Sequence, residues 1–237
     1  MSGATARPGS WWRSNRWGVL LLPVAAALAV VASSSRVVLF WWPYGPHEVT
    51  RAALAQPVGV QEQWLDRAGT HERRLSVSVD SVSAPPATPI RFQGREVPSV
   101  VVPAERPGPR GETTVTLTSP PGTRIWQVTL SVVADPDQVL AGCRLAIVDT
   151  QGRVYDSDVR MIEPVRSTLK TTPCVPDGAR GPSAVLYDGM AQDPEELDRA
   201  ASYTTSAYLA TAADAVPQTV RFWFEYPRVI EVSVPRP

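Results

Sequence analysis

Residues 124–133, RIWQVTLSVV, are the stretch that decides the fold. Apolar and polar residues alternate strictly from Trp126 to Val132, which is typical of a β-strand with one buried face. The apolar face carries Trp126, Val128, Leu130 and Val132, and the polar face carries Gln127, Thr129 and Ser131. A strand this regular predicts a sheet whose apolar face packs against a second layer.

The same period of two recurs before and after this strand. It appears in LSVSVDSV (75–82), CRLAIVD (143–149), TVRFWFE (219–225) and VIEVSV (229–234). TQGRVYD (150–156) predicts a hairpin, with Gly152 supplying the positive φ that its loop requires. About eight strands with frequent Pro and Gly turns predict a mainly β fold, an antiparallel β-sandwich with one short helix.

Three segments depart from the strand pattern. Residues 84–109 hold seven prolines, which predicts a long surface crossover in which VPSVVVP (97–103) pairs only at a sheet edge. DPEELDRAAS (193–202) predicts the short helix, because an N-cap Asp is followed by Pro and two Glu in the first turn. EVTRAALAQ (48–56) predicts two helical turns.

The run from Trp17 to Trp42 is the one stretch long and apolar enough to cross a bilayer. Gly18 and Pro23 interrupt it, and membrane helices tolerate both residues. Arg36 falls within the run, about 9 Å from its outer end at ~1.5 Å per residue, so its side chain is expected to snorkel to the headgroups. The sequence therefore predicts a transmembrane signal-anchor helix over 17–42.

Charges and aromatic residues flank this span and predict its orientation. The segment before it contains only basic charged residues, so the positive-inside bias places the amino terminus in the cytoplasm and the carboxyl-terminal part outside. The predicted membrane-interface residues are Arg13, Arg16, Trp17, Arg36, Trp41, Trp42 and Tyr44. The alternative is a signal peptide cleaved after Ala32, which would release a secreted domain.

These features divide the chain into four parts. They are a basic cytoplasmic terminus (1–16), the signal anchor (17–42), a juxtamembrane linker (43–74) and an extracytoplasmic β-sandwich domain (75–237). The predicted location is the plasma membrane, with a single pass and the lipid bilayer as the first partner.

Charge argues against nucleic acid as a partner. Residues 1–42 hold four basic residues and no acidic ones, so 19 basic and 23 acidic residues remain, a net charge of −4. The remaining arginines are scattered among Asp and Glu, without the basic patch of a nucleic-acid binder. Lys170 is the single lysine, a bias typical of GC-rich genomes.

The two cysteines, Cys143 and Cys174, fall on the predicted outer side, where an oxidising compartment favours a disulfide. The bond would fasten the irregular PCVPDGARGP segment (173–182) to the sheet. The spacing does not fit a CxxC redox pair.

The search for catalytic or ligand-binding motifs yields no enzyme class. The only histidines are His47 and His71, which the predicted boundaries place near the membrane and outside the domain, so no zinc site or Ser-His-Asp triad is expected. Nucleotide-binding glycine motifs are absent, and no cofactor is expected. The Asp135/Asp137 and Asp156/Asp158 pairs fit turn chemistry better than calcium.

Aromatic residues late in the chain are the candidate contact surface. Trp223 lies on the strand face opposite Phe222 and Phe224, so it is either covered by a second layer or available to a partner. Trp223 and Tyr226 are therefore the possible partner-contact residues.

The segment from RIWQVTLSVV (124–133) through VDTQGRVYD (148–156) resembles the exported, membrane-anchored immunoglobulin-like domains, telokin-like in fold, of actinobacteria and other Gram-positive bacteria. The resemblance covers about a third of the chain, and it implies an adhesive or accessory module, usually without catalysis.

Three functions remain open at this point. The first is a single-pass membrane protein that displays a non-catalytic β-sandwich to a protein partner in the cell envelope. The second is a secreted domain, released by signal cleavage, that binds a small ligand or an ion. The third is an envelope hydrolase, which requires two buried carboxylates facing each other in a cleft.

Overall fold

The computed structural model describes residues 15–67, 69–92, 94–104, 111, 113–140, 142–157, 163–164, 172–176, 178–179, 181–182 and 198–235. The chain forms two compact units, Met1–His47 and Glu48–Pro237. The first is helical and the second is built from strands.

The helical unit begins with α1 (Arg16–Arg36) and continues as a π-helical turn, Val37–Trp41, and a 3-10 turn, Trp42–Tyr44. Within it, the 19 residues Leu21–Leu39 are long and apolar enough to cross a membrane. Ser34 donates from its hydroxyl to the carbonyl of Val31 at 3.0 Å, which satisfies a polar side chain within the apolar stretch.

The apolar side chains of the helix are exposed rather than packed. Leu22, Leu28, Val30 and Leu39 each expose about two thirds of their surface (67%, 65%, 67% and 65%). A row of exposed aliphatic residues is compatible with an apolar surrounding such as a bilayer. The part of the chain that the structure describes thus has one helix long and apolar enough to span a membrane.

Thirteen strands are described in the second unit. In chain order they are β1 (Glu48–Ala53), β2 (Val58–Asp66), β3 (Gly69–Ser83), β4 (Thr88–Phe92), β5 (Arg95–Pro103), β6 (Thr114–Thr118), β7 (Thr123–Ala134), β8 (Arg144–Asp149), β9 (Val154–Asp156), β10 (Glu163–Pro164), β11 (Ser202–Ala212), β12 (Pro217–Trp223) and β13 (Arg228–Ser233).

These strands form three sheets. The first has the order β1-β13-β12-β8-β9, the second has the order β11-β7-β3-β2, and the third has the order β10-β6-β5-β4. Pairing is antiparallel except between β1 and β13, which run parallel from Glu48 opposite Arg228 to Ala53 opposite Ser233. β1 and β2 end their sheets, so each has one open edge among the described residues.

The main core lies between the first two sheets. Leu130 and Val132 of β7 are fully buried against Leu145 and Ile147 of β8, and Val220 of β12 completes the layer. The predicted alternation in RIWQVTLSVV is confirmed, since Val128, Leu130 and Val132 belong to this core and Trp126 packs against it. The predicted mainly β architecture in antiparallel sheets is confirmed and is consistent with a sandwich-like fold.

The proline-rich segment differs from its prediction. Residues 84–109 contain a hairpin of β4 and β5, and β5 is an inner strand that pairs with both β4 and β6. β5 tolerates its prolines because β4 pairs with its first half and β6 with its second half. Pro98 lies opposite Pro89, so neither strand lacks a main-chain N–H donor that this pair would need. The third sheet packs Val100 against Ile125 of β7.

The predicted linker over 43–74 is also corrected. Glu48–Ala53 is strand β1 and not two helical turns, because β1 pairs along its length with β13, close to the carboxyl terminus. β2 and the start of β3 also fall within 43–74. The domain therefore begins at Glu48 instead of Leu75, and the three residues Gly45 to His47 connect it to the helical turns.

The predicted hairpin after β8 is confirmed, with β9 paired to β8 and Gly152 at φ 79° in its turn. The predicted helix over 193–202 lies mostly outside the described residues. Its last part, Ser202, already belongs to β11.

Candidate functional site

A cleft of about 910 Å³ lies at the open side of the sandwich. Its walls are the start of β1, the middle of β2 and the turn that joins β12 to β13. The cleft is lined by Glu48, Val49, Thr50, Gly59, Val60, Gln61, Glu62, Gln63, Glu72, Phe222, Trp223, Phe224, Glu225, Tyr226, Pro227, Arg228, Val229 and Ile230. The two strands with open edges thus meet at one cavity.

The β2–β3 hairpin places a buried ion pair beside this cleft. Its inner face begins with apolar pairs, Val60 opposite Leu75, and continues with Glu62 opposite Arg73. The Glu62 and Arg73 side chains are 9% and 4% exposed, and the Arg73 guanidinium donates to the Glu62 carboxylate. Two charges therefore occupy positions that strand periodicity assigns to the core.

Aromatic rings enclose the Arg73 guanidinium. Its Cζ lies 3.9 Å from the centroid of the Phe224 ring and 5.3 Å from that of Trp64, and its Nε donates to the Val139 carbonyl at 2.9 Å. Planar guanidinium groups stack favourably on aromatic faces. The cation is thus held by two rings, a carboxylate and a carbonyl.

Burial raises the pKa of Glu62, while the hydrogen bond and the charge of Arg73 pull it down without cancelling that rise. The nearby negative charge of Glu225 raises the pKa further. A buried carboxylate with a raised pKa beside a cleft is a common mark of functional sites, although structural ion pairs also produce it.

The outer end of the hairpin carries a second polar group. The His71 ring stacks on Trp64 with centroids 4.7 Å apart, and its Nε2 lies 2.8 Å from Oδ1 of Asp66. His71 is part of β3, so the prediction that places both histidines outside the domain is wrong for His71. The earlier start of the domain is the reason.

Trp223 and Tyr226, the predicted partner-contact residues, both line the cleft and stack on each other with centroids 5.6 Å apart. They differ in exposure, since Trp223 is 6% exposed and Tyr226 is 38% exposed. Trp223 packs with Ala146 and Val229 in a small cluster of its own. The face of Tyr226 is thus supported from behind by a buried ring.

Arg228 joins the two walls of the cleft. Its Nε donates to the Glu48 carboxylate at 3.1 Å, and its Nη1 donates to the Gln61 carbonyl of β2 at 3.0 Å. Glu225, by contrast, is exposed and has no ion pair with a residue that the structure describes.

The predicted disulfide joins Cys143 and Cys174, with the two Cα atoms 6.2 Å apart. Both residues are buried in the main core, and the Tyr203 hydroxyl donates to the Cys174 carbonyl at 2.8 Å. The bond therefore fastens the 173–176 loop to the sandwich and takes no part in the cleft.

The described residues show no group of three or more His, Cys, Asp or Glu side chains placed to hold a metal ion. Asp135 instead accepts the backbone N–H of Asp137 at 3.1 Å, the turn chemistry expected of that pair. Asp156 lies 3.9 Å from Arg144, and its predicted companion Asp158 lies outside the described residues.

The structure describes all but one of the predicted membrane-interface residues. Arg36 is the last residue of α1, and Trp42 and Tyr44 are 52% and 71% exposed. Trp42 stacks on His47 with centroids 3.9 Å apart. Arg16, Trp17 and Trp41 lie in helical backbone, and Arg13 lies outside the described residues.

Sequence reasoning missed Glu62 and Arg73, although the chain carries a signal for them. Counting back by twos from Val79 and Leu75 reaches Arg73, a charge on the apolar face of a strand. Its partner, Glu62, was not recognised from the sequence because β2 falls in the segment predicted to be a linker.

The chain matches no protein-family profile, no curated protein and no solved structure. Functional inference therefore rests on the geometry of the cleft.

Proposed function

We propose that this chain is a single-pass membrane protein that displays an extracytoplasmic β-sandwich as a non-catalytic binding module for a protein of the cell envelope. The single observation that carries the proposal is the cleft, where open strand edges, the exposed face of Tyr226 and the free carboxylate of Glu225 converge. Clefts with aromatic walls and a few polar groups are the usual form of binding sites.

Three further features support export and anchoring. The apolar helix precedes the domain, the charged residues before it are all basic, and the disulfide fits an oxidising compartment. The resemblance to membrane-anchored immunoglobulin-like domains implies the same kind of accessory role.

Glu62 and Glu225 both line the cleft, and the charge of Glu225 acts on Glu62. They are therefore the pair of carboxylates that an envelope hydrolase would use. Glu62 is buried and paired with Arg73, whereas Glu225 is exposed. A hydrolase of this kind needs a general acid and a second carboxylate that both point into a deep pocket. The arrangement thus favours binding over acid–base catalysis.

Topology is tested in intact cells with a membrane-impermeant maleimide. We expect the full-length chain in the membrane fraction and, since Cys143 and Cys174 are paired and buried, labelling at an exposed cysteine introduced by Val154→Cys. Labelling that requires cell lysis would contradict export, and a mature terminus at Ser33 with the domain in the medium would establish the secreted alternative.

Binding is tested on the protein solubilised from its own membranes. The wild-type chain is expected to migrate on a native gel in a complex larger than the detergent-bound chain alone, and Tyr226→Ala is expected to lose that complex. Val154→Ala is the control, because Val154 is 54% exposed and does not line the cleft. Equal complexes for both variants would remove the cleft as the binding site.

A further inference from the structure

The outer edge of β1 offers unpaired main-chain groups. The Glu48 N–H donates to the Pro227 carbonyl at 3.0 Å, so Glu48 points its main-chain groups toward β13. Because these groups alternate along a parallel strand, those of Val49 and Arg51 point away from β13. Neither residue has a hydrogen bond on this edge within the described part of the chain.

The edge is closed at one end and open at the other. Ala53 exchanges hydrogen bonds with Gln56, whose side-chain Oε1 accepts the Ala53 N–H at 3.0 Å and whose own N–H donates to the Ala53 carbonyl at 3.2 Å. The open part of the edge is therefore the stretch from Glu48 to Arg51, beside the cleft.

Side-chain direction connects this edge to the cleft. Ala52 of β1 points into the main core, so Val49 points to the opposite face of the sheet. On that face Val229, the partner of Val49, packs with Trp223, which stacks on Tyr226. A strand added beside β1 would send every second side chain over this face, toward Tyr226 and its neighbour Glu225.

We propose that the cleft binds an extended segment of a partner protein that adds as a strand to the free edge of β1 and places a lysine or arginine side chain against Glu225 and Tyr226. The proposal deepens the proposed function by naming the mode of binding and the chemistry of the partner. In strand addition, main-chain hydrogen bonds supply affinity and side-chain pockets supply specificity.

Charge decides which side chain fits. Four of the five charged residues that line the cleft are glutamates, and Arg228 is the fifth. Glu48 is paired with Arg228, Glu62 with Arg73 and Glu72 with Arg74, which leaves Glu225 for a cation from outside. An aromatic face next to a carboxylate is a favourable setting for a cation.

The protein already contains an example of this chemistry. The Arg73 guanidinium is held by the rings of Phe224 and Trp64 and by the Glu62 carboxylate. At the mouth of the cleft, Tyr226 and Glu225 offer the same types of group to solvent.

The test uses the full chain in nanodiscs of zwitterionic lipid, which do not attract basic peptides by themselves. The probe is a capped, fluorescent hexapeptide that alternates arginine and valine. Binding is measured by fluorescence anisotropy, and hydrogen exchange of the protein amides locates the site. We expect binding together with slower exchange of the Val49 and Arg51 amides.

Two control peptides separate the parts of the proposal. A peptide with glutamine in place of arginine is expected to bind about two- to fivefold more weakly, the effect of one partly exposed charge pair. A peptide N-methylated on alternate amides cannot form a strand ladder, so it is expected not to protect β1. Equal binding of the glutamine or the N-methylated peptide would overturn the proposal.

Two protein variants complete the test. Glu225→Gln is expected to weaken binding of the arginine peptide about two- to fivefold, with unchanged unfolding because Glu225 is exposed. Glu96→Gln is the matched control, an exposed glutamate of β5 that does not line the cleft, and it is expected to bind as the wild type does. Equal affinities of the two variants, or no protection of β1 at millimolar peptide, would overturn the proposal.

Failure of this proposal is distinguishable from failure of the proposed function. If the peptide does not bind but Tyr226→Ala still loses the native complex, the cleft is a binding site for different chemistry. If both results are negative, the cleft is not the site.

Discussion

Asp149 and Glu62 are two buried carboxylates, each paired with an arginine, and burial has opposite consequences for them. Asp149 is fully buried at the β8–β9 turn. Burial by itself raises the pKa of Asp149, but hydrogen bonds from the Arg153 side chain and from the backbone N–H groups of Arg153 and Gln151 outweigh it and lower the pKa. Glu62 lacks such a set of donors, and its pKa is raised.

The geometry of the two sites explains the contrast. At Asp149, Oδ1 accepts the N–H groups of Gln151 and Arg153, each at 2.9 Å, and Oδ2 accepts the Arg153 Nε at 2.6 Å. All of these donors lie within four residues of the carboxylate along the chain. Glu62 instead depends on Arg73, which belongs to the next strand and is held by aromatic rings.

The two carboxylates have different roles in this fold. The Asp149 carboxylate completes a turn, and its charge is satisfied by that turn. The Glu62 carboxylate is less well satisfied and lies in the wall of the cleft. We therefore assign Asp149 to stability and Glu62 to the support of the cleft.

The largest expected effect is that of Arg73→Met. This change leaves Glu62 buried without its cation, and breaking a buried ion pair on one side costs about 3–5 kcal/mol of unfolding free energy. Urea unfolding of the full chain in detergent measures the loss.

Arg74→Met is the matched control for this change, because Arg74 is the next residue, is 64% exposed and is also paired with a glutamate, Glu72. We expect it to cost less than about 1 kcal/mol. Equal losses for the two variants would mean that Arg73 is not a buried partner of Glu62.

Asp149→Asn should have a smaller effect, seen as a lower melting temperature. The amide oxygen still accepts the backbone N–H groups, but the ion pair with Arg153 is lost. Asp214→Asn removes the other carboxylate that contacts Arg153, at 3.1 Å, from an exposed position, and should leave the melting temperature nearly unchanged. A larger loss for Asp214→Asn would reverse the assignment.

The smallest effect is the pH dependence, in which the two acids should have opposite signs. Because the folded state lowers the pKa of Asp149, this residue stabilises the fold at neutral pH. The stabilisation is lost as the pH falls through the folded-state pKa. Because the folded state raises the pKa of Glu62, its contribution to stability is complete below the ordinary glutamate pKa of 4.5 and declines as the pH rises through the folded-state pKa.

Urea midpoints measured across acidic pH separate these two contributions. Glu62→Gln should remove the decline above pH 4.5, whereas Asp149→Asn should reduce the loss in strong acid. The same pH profile for both variants would show that the two acids do not differ as described.

The sequence predicts the sandwich well where strands have one apolar face. RIWQVTLSVV alternates from Trp126 to Val132, and CRLAIVD is a short apolar run whose residues Cys143, Leu145 and Ile147 face the core, so the strands β7 and β8 follow from local pattern. The β8–β9 turn is equally local, since Gly152 supplies its positive φ. These elements form from neighbouring residues, and a sequence displays neighbours directly.

The cleft could not be predicted in the same way, because its walls come from distant parts of the chain. β1 has helical propensity in EVTRAALAQ, and only its pairing with β13, 180 residues away at Glu48 and Arg228, makes it a strand. Long-range pairing of this kind overrides local preference. Tyr226 was selected from sequence as an aromatic residue, but its position beside Glu225 and the free edge of β1 needed the fold.

The most direct test of the account is site-specific photo-crosslinking in intact cells of the native host. A benzophenone amino acid replaces Tyr226 in the cleft or, in a control chain, Val154, which is exposed beside the Asp149 turn. We expect a discrete crosslinked protein at position 226 and none at position 154. No adduct at position 226, or the same adduct at both positions, would contradict it.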